Sequence, residues 1–422
     1  MEEEISQHIL LPQPPSCDVN SLNADIYHLL CGYMTRKEFQ AFLQVNKHVH
    51  AEYIGYRYIC LNMKYSLCYV QNEQFRDSIL SLMIDSRRQL ALNLLDCSNV
   101  PDMSVVGRVH TLDLTGCSDI TNVSALRCVQ TLSLRHCCVT DVSALGGVHT
   151  LDLTGCTDVT DVSAIGGVHT LNLKYCSGVT DVSALGGVHT LDLSGCTSLT
   201  DVSALGGVHT LSLRYSSGVM DVSALGGVHT LDLTGCSNLT DVSALGGVNT
   251  LNLHYCSGVT DVSALSGVHN LTLAGCTKIS IVSTLGAVHT LDLSGCAKIK
   301  DVSALGGVNT LNLHCCGVKD VIFLGGVRHL VLSSCTSLAD VSALGGVHTL
   351  DLTGCRGVTD VNALGGVYTL NLRDCTNLTD VSALSGVHHL TLAGCTKISN
   401  VSTLGAVHTL DLSGCAKIKD VS

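Results

Sequence analysis

The sequence lacks tryptophan and has few other aromatic or charged residues. Of its 422 residues, 4% are aromatic and 14% are charged, which argues against a coiled coil and against an aromatic-rich β-sandwich. The formal charge of −12 provides no basic surface for nucleic-acid phosphates, so we expect no nucleic-acid partner. No apolar run reaches the ~18 residues of a membrane span. The acidic start, MEEEISQHILLPQPP, does not resemble a signal peptide. We therefore expect no membrane partner and a protein that is not secreted and resides in the cytoplasm, or in both cytoplasm and nucleus.

A pair of leucines separated by one residue recurs through most of the chain. It starts 17 units between Leu92 and Leu410, in steps of 20 residues except for two steps of 19. In the unit VHTLDLTGCTDVTDVSAIGG (148–167), Leu151 and Leu153 alternate with polar residues, which predicts a short strand with one buried face. Asp161 predicts a capped 3₁₀ turn, and Gly166-Gly167 a return bend. Units this small must stack, so the repeat predicts a solenoid whose function lies on a surface.

Cysteine follows the repeat. The chain has 23 cysteines, and 16 of the 17 units carry one five residues after the pair opens, Ser216 being the exception. Equivalent sites in a column offer no unique disulfide partner, and free cysteine is often buried, so we interpret these thiols as reduced and structural in a reducing compartment. Metal or redox chemistry is the alternative, at the vicinal pairs Cys137-Cys138 and Cys315-Cys316.

The repeat pattern V-x-x-L-x-L-x-x-C-x-x-V-x-D-V-x-x-L over residues 91–422 resembles the leucine-rich repeat family, and its TDVSAL segment looks like internalin-type repeats. The resemblance implies an α/β solenoid with a parallel β-sheet on the concave face and short 3₁₀ or irregular turns on the convex face. Three departures are Val331 at a usually polar position, and Ile281 and Asn400 in place of the capping Asp. We expect each to weaken its own coil.

The first ninety residues do not follow the repeat. We expect a disordered tail over 1–19, a helical module over 20–54, and a helical linker or N-terminal cap over 55–90. The stretch SLNADIYHLLCGYMTRKEFQAFLQVNKHVHAEY resembles an F-box, although Asn23 stands where that motif has Pro. The resemblance implies docking of a Skp-family adaptor, and through it a cullin, by Leu22, Ile26, Leu29, Leu30, Phe39, Phe42 and Val45. A plain helical cap on the first repeat is the alternative.

The positions that should point outward from the strands alternate between two compositions. Small rows such as Asp152-Thr154-Gly155 are followed by rows such as Asn172-Lys174-Tyr175. Tyr and Arg are enriched in binding hot spots, so we predict that a protein substrate binds a basic–tyrosine stripe on the concave face. The stripe consists of Arg135, Lys174, Tyr175, Arg214, Tyr215, His254 and Tyr255. Duplication of a two-coil unit would also produce the alternation, and residues 266–303 do return almost unchanged at 385–422.

Histidine forms a further column at the predicted strand entrance. It runs through His110, His149, His169, His189, His209, His229, His269, His289, His348, His388 and His408. A metal-binding or pH-sensing row is one interpretation, and a solvated or Thr-bonded row is the other. We predict no catalytic residue, no metal site and no cofactor. The two resemblances together imply a non-catalytic substrate-recognition subunit of an SCF-type ubiquitin ligase; the alternative is a binding scaffold with no ubiquitin role.

Overall fold

The computed structural model describes residues 58–86, 89–97, 100 and 103–418. The predicted tail (1–19), the F-box-like module (20–54) and all seven predicted adaptor-binding residues, Leu22 to Val45, lie outside the described residues. The chain divides into two compact units, Met1–Leu193 and Ser194–Ser422.

The first unit contains a parallel sheet whose strands pair in chain order. Leucine faces leucine across each step; Leu151, for example, pairs with Leu171. The strands are β1 Tyr58–Leu61, β2 Gln89–Asn93, β3 Thr111–Asp113, β4 Thr131–Ser133, β5 Thr150–Asp152, β6 Thr170–Asn172 and β7 Thr190–Asp192. The 3₁₀ turns that follow β2 to β6 are Met103–Val105, Ser124–Leu126, Ser143–Leu145, Ser163–Ile165 and Ser183–Gly187.

The second unit repeats this arrangement with parallel strands in chain order. Its strands are β8 Thr210–Ser212, β9 Thr230–Asp232, β10 Thr250–Asn252, β11 Asn270–Thr272, β12 Thr290–Asp292, β13 Thr310–Asn312, β14 His329–Val331, β15 Thr349–Asp351, β16 Thr369–Asn371, β17 His389–Thr391 and β18 Thr409–Asp411. Its 3₁₀ turns are Ser203–Gly207, Ser223–Gly227, Ser243–Gly247, Ser263–Gly267, Leu285–Ala287, Ser303–Gly307, Leu324–Gly326, Ser342–Gly346, Asn362–Gly366, Ser382–Gly386 and Ser402–Ala406. Each unit is a leucine-rich repeat solenoid, as the repeat predicts.

The first coil differs from the others because two α-helices replace its 3₁₀ turn. These are α1, Met63–Gln71, and α2, Glu73–Ser86, and they connect β1 to β2. The Asn62 side chain accepts a hydrogen bond from the Tyr65 N–H at 3.2 Å and so caps α1. Ser66 ties α1 to the sheet: its hydroxyl donates to the Leu61 carbonyl and accepts from the Asn93 N–H. The leucine count did not include β1, although Ile59 and Leu61 pair with Leu90 and Leu92.

In the coils between the two ends of the described chain, apolar side chains from the strand, the turn and the 3₁₀ segment fill the interior. In the coil of β5, Leu151, Leu153, Val159, Val162 and Ile165 are each at most 1% exposed. The carboxylate before the 3₁₀ segment holds the turn: Asp161 Oδ1 accepts a hydrogen bond from the Ser163 N–H at 2.9 Å. Asp141, Asp181, Asp201, Asp221, Asp241 and Asp261 do the same in their coils.

Two sequence-based expectations about the turns need correction. Asn400 does not remove the cap, because its Oδ1 accepts a hydrogen bond from the Ser402 N–H at 3.0 Å. At Ile281 the 3₁₀ segment is Leu285–Ala287, but the coil capped by Asp161 also has a three-residue segment, Ser163–Ile165. The weakening expected at Ile281 and at Val331 therefore stays a prediction. Gly166 is not required for an unusual bend, since its φ is −63°. It is required for packing, because a Cβ there would lie 2.2 Å from the Ala184 carbonyl oxygen of the next coil.

The cysteine column is a set of buried hydrogen-bonded thiols. Most of these thiols donate to the carbonyl of the second leucine in the preceding coil; for example, Cys156 Sγ lies 3.0 Å from the Leu134 oxygen and Cys256 Sγ 3.1 Å from the Leu233 oxygen. No disulfide is formed among the cysteines of the described part of the chain. Burial raises the pKa of Cys156 to about 11 and that of Cys236 to about 12. This burial and these hydrogen bonds agree with a structural role for the column, while the reducing compartment stays a prediction.

Candidate functional site: the strand face

The strand face is formed by the outward residue of each strand and the turn that follows. The outward Asp or Asn at the strand end accepts a hydrogen bond from the N–H two residues later, which closes a tight turn. Asp152 does this with Thr154 at 2.9 Å, Asn172 with Lys174 at 3.0 Å, and Asn252 with His254 at 2.9 Å. These polar side chains are thus occupied in holding the backbone that presents the next two residues.

The second residue of this turn adopts a left-handed backbone. The φ angle is 60° at Tyr175, 57° at Tyr215 and 58° at Tyr255, against 74° at Gly155 and 76° at Gly235. A bulky residue with φ above zero is costly and marks a turn, strain or a function. The tyrosines of the stripe therefore occupy positions that glycine would fill with less strain, and that glycine does fill in intervening coils.

At the left-handed position, the bulky side chain of one coil packs directly over the glycine of the next coil, an arrangement that we call the interlock. A Cβ placed on Gly235 would lie 2.4 Å from Cδ1 of the Tyr215 ring in the preceding coil, and one on Gly275 would lie 2.4 Å from Cδ1 of Tyr255. His136 covers Gly155 in the same way. The two-coil alternation thus has a steric basis, because the ring of one coil occupies the space that a side chain at the next would need.

In the first unit the stripe contains Arg135, Lys174 and Tyr175. Arg135 Nη1 lies 4.0 Å from Asp152 Oδ2 of the next coil, a half-exposed ion pair of the kind that contributes about 0–1 kcal/mol. The Lys174 ammonium lies 5.2 Å from the centre of the Tyr175 ring, within cation–π range. Tyr175 is 52% exposed, so a broad aromatic surface with an adjacent positive charge faces solvent.

In the second unit the stripe contains Arg214, Tyr215, His254 and Tyr255. The Arg214 guanidinium lies 5.9 Å from the centre of the Tyr215 ring, and its Nε lies 3.8 Å from Asp232 Oδ2. The His254 and Tyr255 rings are stacked with their centres 4.0 Å apart. Each exposed tyrosine ring of the stripe is therefore in contact with the basic or imidazole side chain of the residue before it.

The small acidic row between these pairs is not an exposed surface, contrary to the sequence-based expectation. Asp232 is 3% exposed and Thr234 2% exposed. The Asp232 carboxylate accepts hydrogen bonds from the N–H and hydroxyl of Thr234 at 2.8 and 2.6 Å, and Arg214 from the preceding coil lies against it. The longer residues therefore cover the small row, and a ligand would meet mainly the rings and cations.

The stripe continues at two residues that the sequence-based prediction did not include. His314 and Cys315 occupy the positions of His254 and Tyr255, and Cys315 also has a left-handed backbone, with φ at 55°. His314 Nδ1 lies 2.8 Å from the Ser333 hydroxyl, and its Nε2 lies 3.1 Å from Cys315 Sγ. Counting 60 residues on from His254 would have found this pair. Of the vicinal cysteine pairs, Cys137 and Cys316 are column thiols, while Cys138 and Cys315 are exposed.

The histidine column is bonded to threonine. Nδ1 of His149, His169 and His189 each lies 3.2–3.3 Å from the hydroxyl of the threonine that follows. The rings stack, with centres 4.7 Å apart between His149 and His169 and 4.6 Å between His169 and His189. Burial, and then the neighbouring imidazoles, lowers the pKa of His169 below its ordinary value. The geometry matches the Thr-bonded interpretation of the column.

The part of the chain that the structure describes contains no group of three or more His, Cys, Asp or Glu side chains arranged to hold a metal ion. No described helix combines the length and apolar character needed to cross a membrane.

Comparison with known proteins gives structural likeness only. No protein-family model matches the chain, and no curated protein matches it. It is similar to an internalin, InlF, of Listeria monocytogenes, with 18% identity and a TM-score of 0.43 over 76% of this chain and 92% of that one. It is also similar to the functional domain of L. monocytogenes InlJ, which includes a cysteine ladder (19%, TM-score 0.41, 71% and 68%). The leucine-rich repeat domain of the type III effector XopL is a further neighbour (15%, TM-score 0.34, 62% and 96%). The fold assignment rests on the coils themselves.

Proposed function

We propose that this protein is a non-catalytic binding scaffold and that its strand face captures a partner protein through the basic–tyrosine stripe. The observation that carries the proposal is the presentation of Tyr175, Tyr215 and Tyr255, which are 52–58% exposed yet fixed by their turns. Ordering a tyrosine costs little conformational entropy, and buried tyrosine and arginine anchors supply much of the energy of protein interfaces. The partner surface should offer apolar side chains for the rings and carboxylates for Arg214 and Lys174.

The test of the stripe is capture of partner proteins from the native cells by variants of the full chain. Tyr175→Ala, Tyr215→Ala and Tyr255→Ala together remove the rings, and Met220→Thr is the matched control, because Met220 is 61% exposed but precedes a 3₁₀ cap and lies off the strand face. Proteins lost with the tyrosine variant and retained with the control support the proposal. Equal capture by both variants would contradict it.

We propose further that residues 20–54 dock a Skp-family adaptor, which would make the chain a substrate-recognition subunit of an SCF-type ubiquitin ligase. The support for this step is the F-box-like sequence alone. Co-expression with the adaptor tests it, by comparing the intact chain with Leu29→Asp/Phe42→Asp. If the intact chain does not bind the adaptor, the ubiquitin role fails while the binding function of the strand face stands. A cytoplasmic location with a reducing environment is supported by the column of buried cysteines, which form no disulfide with one another.

One observation favours a scaffold with no ubiquitin role. The helices α1 and α2 already connect two strands of the first coil and are tied to the sheet through Ser66, so a helical N-terminal cap exists without residues 20–54. On this second candidate, deleting residues 20–54 leaves partner capture intact. The adaptor experiment separates the two candidates.

A further inference from the structure

Three bulky apolar residues are exposed together near the turns of the second unit. Ile281 is 72% exposed, Ile322 62% and Phe323 61%. They belong to coils two steps apart, so roughly 10 Å separates their backbones. Together with the exposed Lys278, Lys298, Lys300 and Lys319 they form what we call the apolar–lysine patch. A cluster of exposed apolar residues with polar residues at its edge marks an interaction surface, whereas single exposed apolar residues are common and need no explanation.

The repeat does not require these apolar residues. Neighbouring coils place Asp at the position of Ile281, as at Asp261 and Asp301, and Ser303 and Ala304 at the positions of Ile322 and Phe323. The duplicated block 385–422 differs from 266–303 at only two positions, and one of them has Asn400 in place of Ile281. Both affected coils have 3₁₀ segments of three residues, Leu285–Ala287 and Leu324–Gly326, rather than the five of the intervening Ser303–Gly307. Local turn stability therefore does not explain these side chains.

The charge around the patch is opposite to that of the preceding coils. Residues 278–320 contain four lysines and three aspartates, whereas residues 141–261 contain eleven aspartates and only two Lys or Arg residues, Lys174 and Arg214. Two of the three aspartates are held in turn caps: Asp301 Oδ1 accepts from the Ser303 N–H, and Asp320 Oδ1 from the Ile322 N–H. With four lysines against three aspartates, this segment has a formal charge of +1 in a chain of formal charge −12.

A shallow cavity lies beside Phe323. Its volume is about 290 Å³, and Lys300, Asp301, Val302, Ser303, Asp320 and Phe323 line it. The cavity combines the apolar wall of Phe323 with the ammonium group of Lys300 and the carboxylates of Asp301 and Asp320. That volume is enough for one or two apolar side chains of a bound segment, at the lower end of the range for ligand pockets, roughly 300 Å³.

We propose that the apolar–lysine patch is a second docking surface, for an acidic peptide segment that carries bulky apolar side chains. Charge complementarity selects this partner: carboxylates meet the four lysines, while leucine or phenylalanine side chains pack on Ile281, Ile322 and Phe323. The surface is distinct from the strand face and goes beyond the function proposed for it. The chain could hold a strand-face partner and this segment at once.

Fluorescence polarisation with a labelled synthetic peptide, Glu-Glu-Leu-Phe-Glu-Glu-Leu-Phe-Glu-Glu, tests the proposal on the full chain. We expect saturable binding that weakens with added salt. Ile281→Asn, Ile322→Ser and Phe323→Ala together convert the patch to residues that other coils of this chain carry at those positions, so the variant should fold, as circular dichroism and urea unfolding would check. It should bind at least about tenfold more weakly, since each buried apolar anchor supplies a factor of this size.

Further variants separate charge from apolar contact and this surface from the strand face. Lys298→Ser/Lys300→Thr should weaken binding and reduce its salt dependence, while Tyr215→Ala/Tyr255→Ala should leave it unchanged. Equal binding by the three-residue patch variant, equal binding of a peptide with Lys in place of Glu, or no binding at millimolar chain would overturn the proposal. So would self-association of the intact chain that the patch variant abolishes, because the patch would then be an interface between two copies.

Discussion

The interlock between Tyr215 and Gly235 predicts a large difference between two glycines that share the same backbone conformation. Gly235 has φ at 76° and Gly295 at 75°. An added Cβ at Gly235 would lie 2.4 Å from the Tyr215 ring, whereas one at Gly295 would meet nothing nearer than the Gly275 nitrogen at 3.6 Å. Gly295→Ala is thus a control that isolates the backbone cost from the steric cost.

The expected magnitudes follow from these two distances. A left-handed conformation costs a non-glycine residue roughly 1–2 kcal/mol, so Gly295→Ala should destabilise by that amount. Gly235→Ala carries the same cost and must also displace the Tyr215 ring, for which overpacking adds about 1–3 kcal/mol. Displacing the ring also separates it from the Arg214 guanidinium. In a Tyr215→Ala background the extra cost should vanish, giving a coupling energy of about 1–3 kcal/mol.

Hydrogen exchange in urea, followed by mass spectrometry, is the suitable assay. A long repeat array need not unfold in one step, so protection must be measured in peptides that cover each altered coil. The reasoning is refuted if Gly235→Ala and Gly295→Ala lower local stability equally, or if Tyr215→Ala does not relieve the cost of Gly235→Ala.

Three further predictions concern the cysteine and histidine columns. Cys236→Ala should lower the free energy of unfolding in urea by about 1–2 kcal/mol, and Cys236→Ser should lower it less. A serine hydroxyl can replace the hydrogen bond that the Cys236 thiol makes, and Ser216 already occupies the equivalent position of its own coil, fully buried; the reverse order of stability would contradict this. Iodoacetamide should label the exposed Cys128, Cys138 and Cys315 of the folded protein, but not the column thiols, whose burial raises the pKa to about 11 or 12 at Cys156 and Cys236; mass spectrometry showing equal labelling would disprove it. Since the folded pKa of His169 is lowered below 6.5, the folded state binds fewer protons, and stability should fall as the pH drops through 6.5 and below. The thermal midpoint of the unaltered chain should therefore fall between pH 7.5 and 5.5, and that of His169→Asn should fall less. Asn is the residue that the coils of β10 and β13 carry at this position. An equal fall in both proteins would show that His169 does not contribute.

The fold could be predicted because its signals are local and repeated many times. The leucine pair defines the buried face of each strand, and the Asp before VSAL defines the 3₁₀ cap that Ser163 closes. Strand β1 was missed because α1 and α2 separate Ile59 and Leu61 from their partners by 31 residues instead of 20. A fixed period cannot identify a coil whose turn contains a helical insertion.

The candidate site was predicted in part, because sequence alone gives positions without neighbours. The stripe residues do lie on the strand face, but the burial of Asp232 depends on the reach of Arg214 from the preceding coil. The steric basis of the alternation was equally hidden, since the left-handed backbone of Tyr215 and the ring position over Gly235 follow from three-dimensional packing. The sequence pattern therefore predicts which residues lie on the strand face, and the contacts between neighbouring coils determine which of those residues are exposed to solvent.

Photo-crosslinking tests the proposed binding role of the strand face most directly. A benzoylphenylalanine at position 255 would replace a strand-face residue that is 58% exposed, and one at position 220 would replace a residue that is 61% exposed near a turn. The proposal predicts a discrete crosslinked partner protein from position 255 in native cells and none from position 220. Crosslinks of equal yield from both positions, or from position 220 alone, would contradict it.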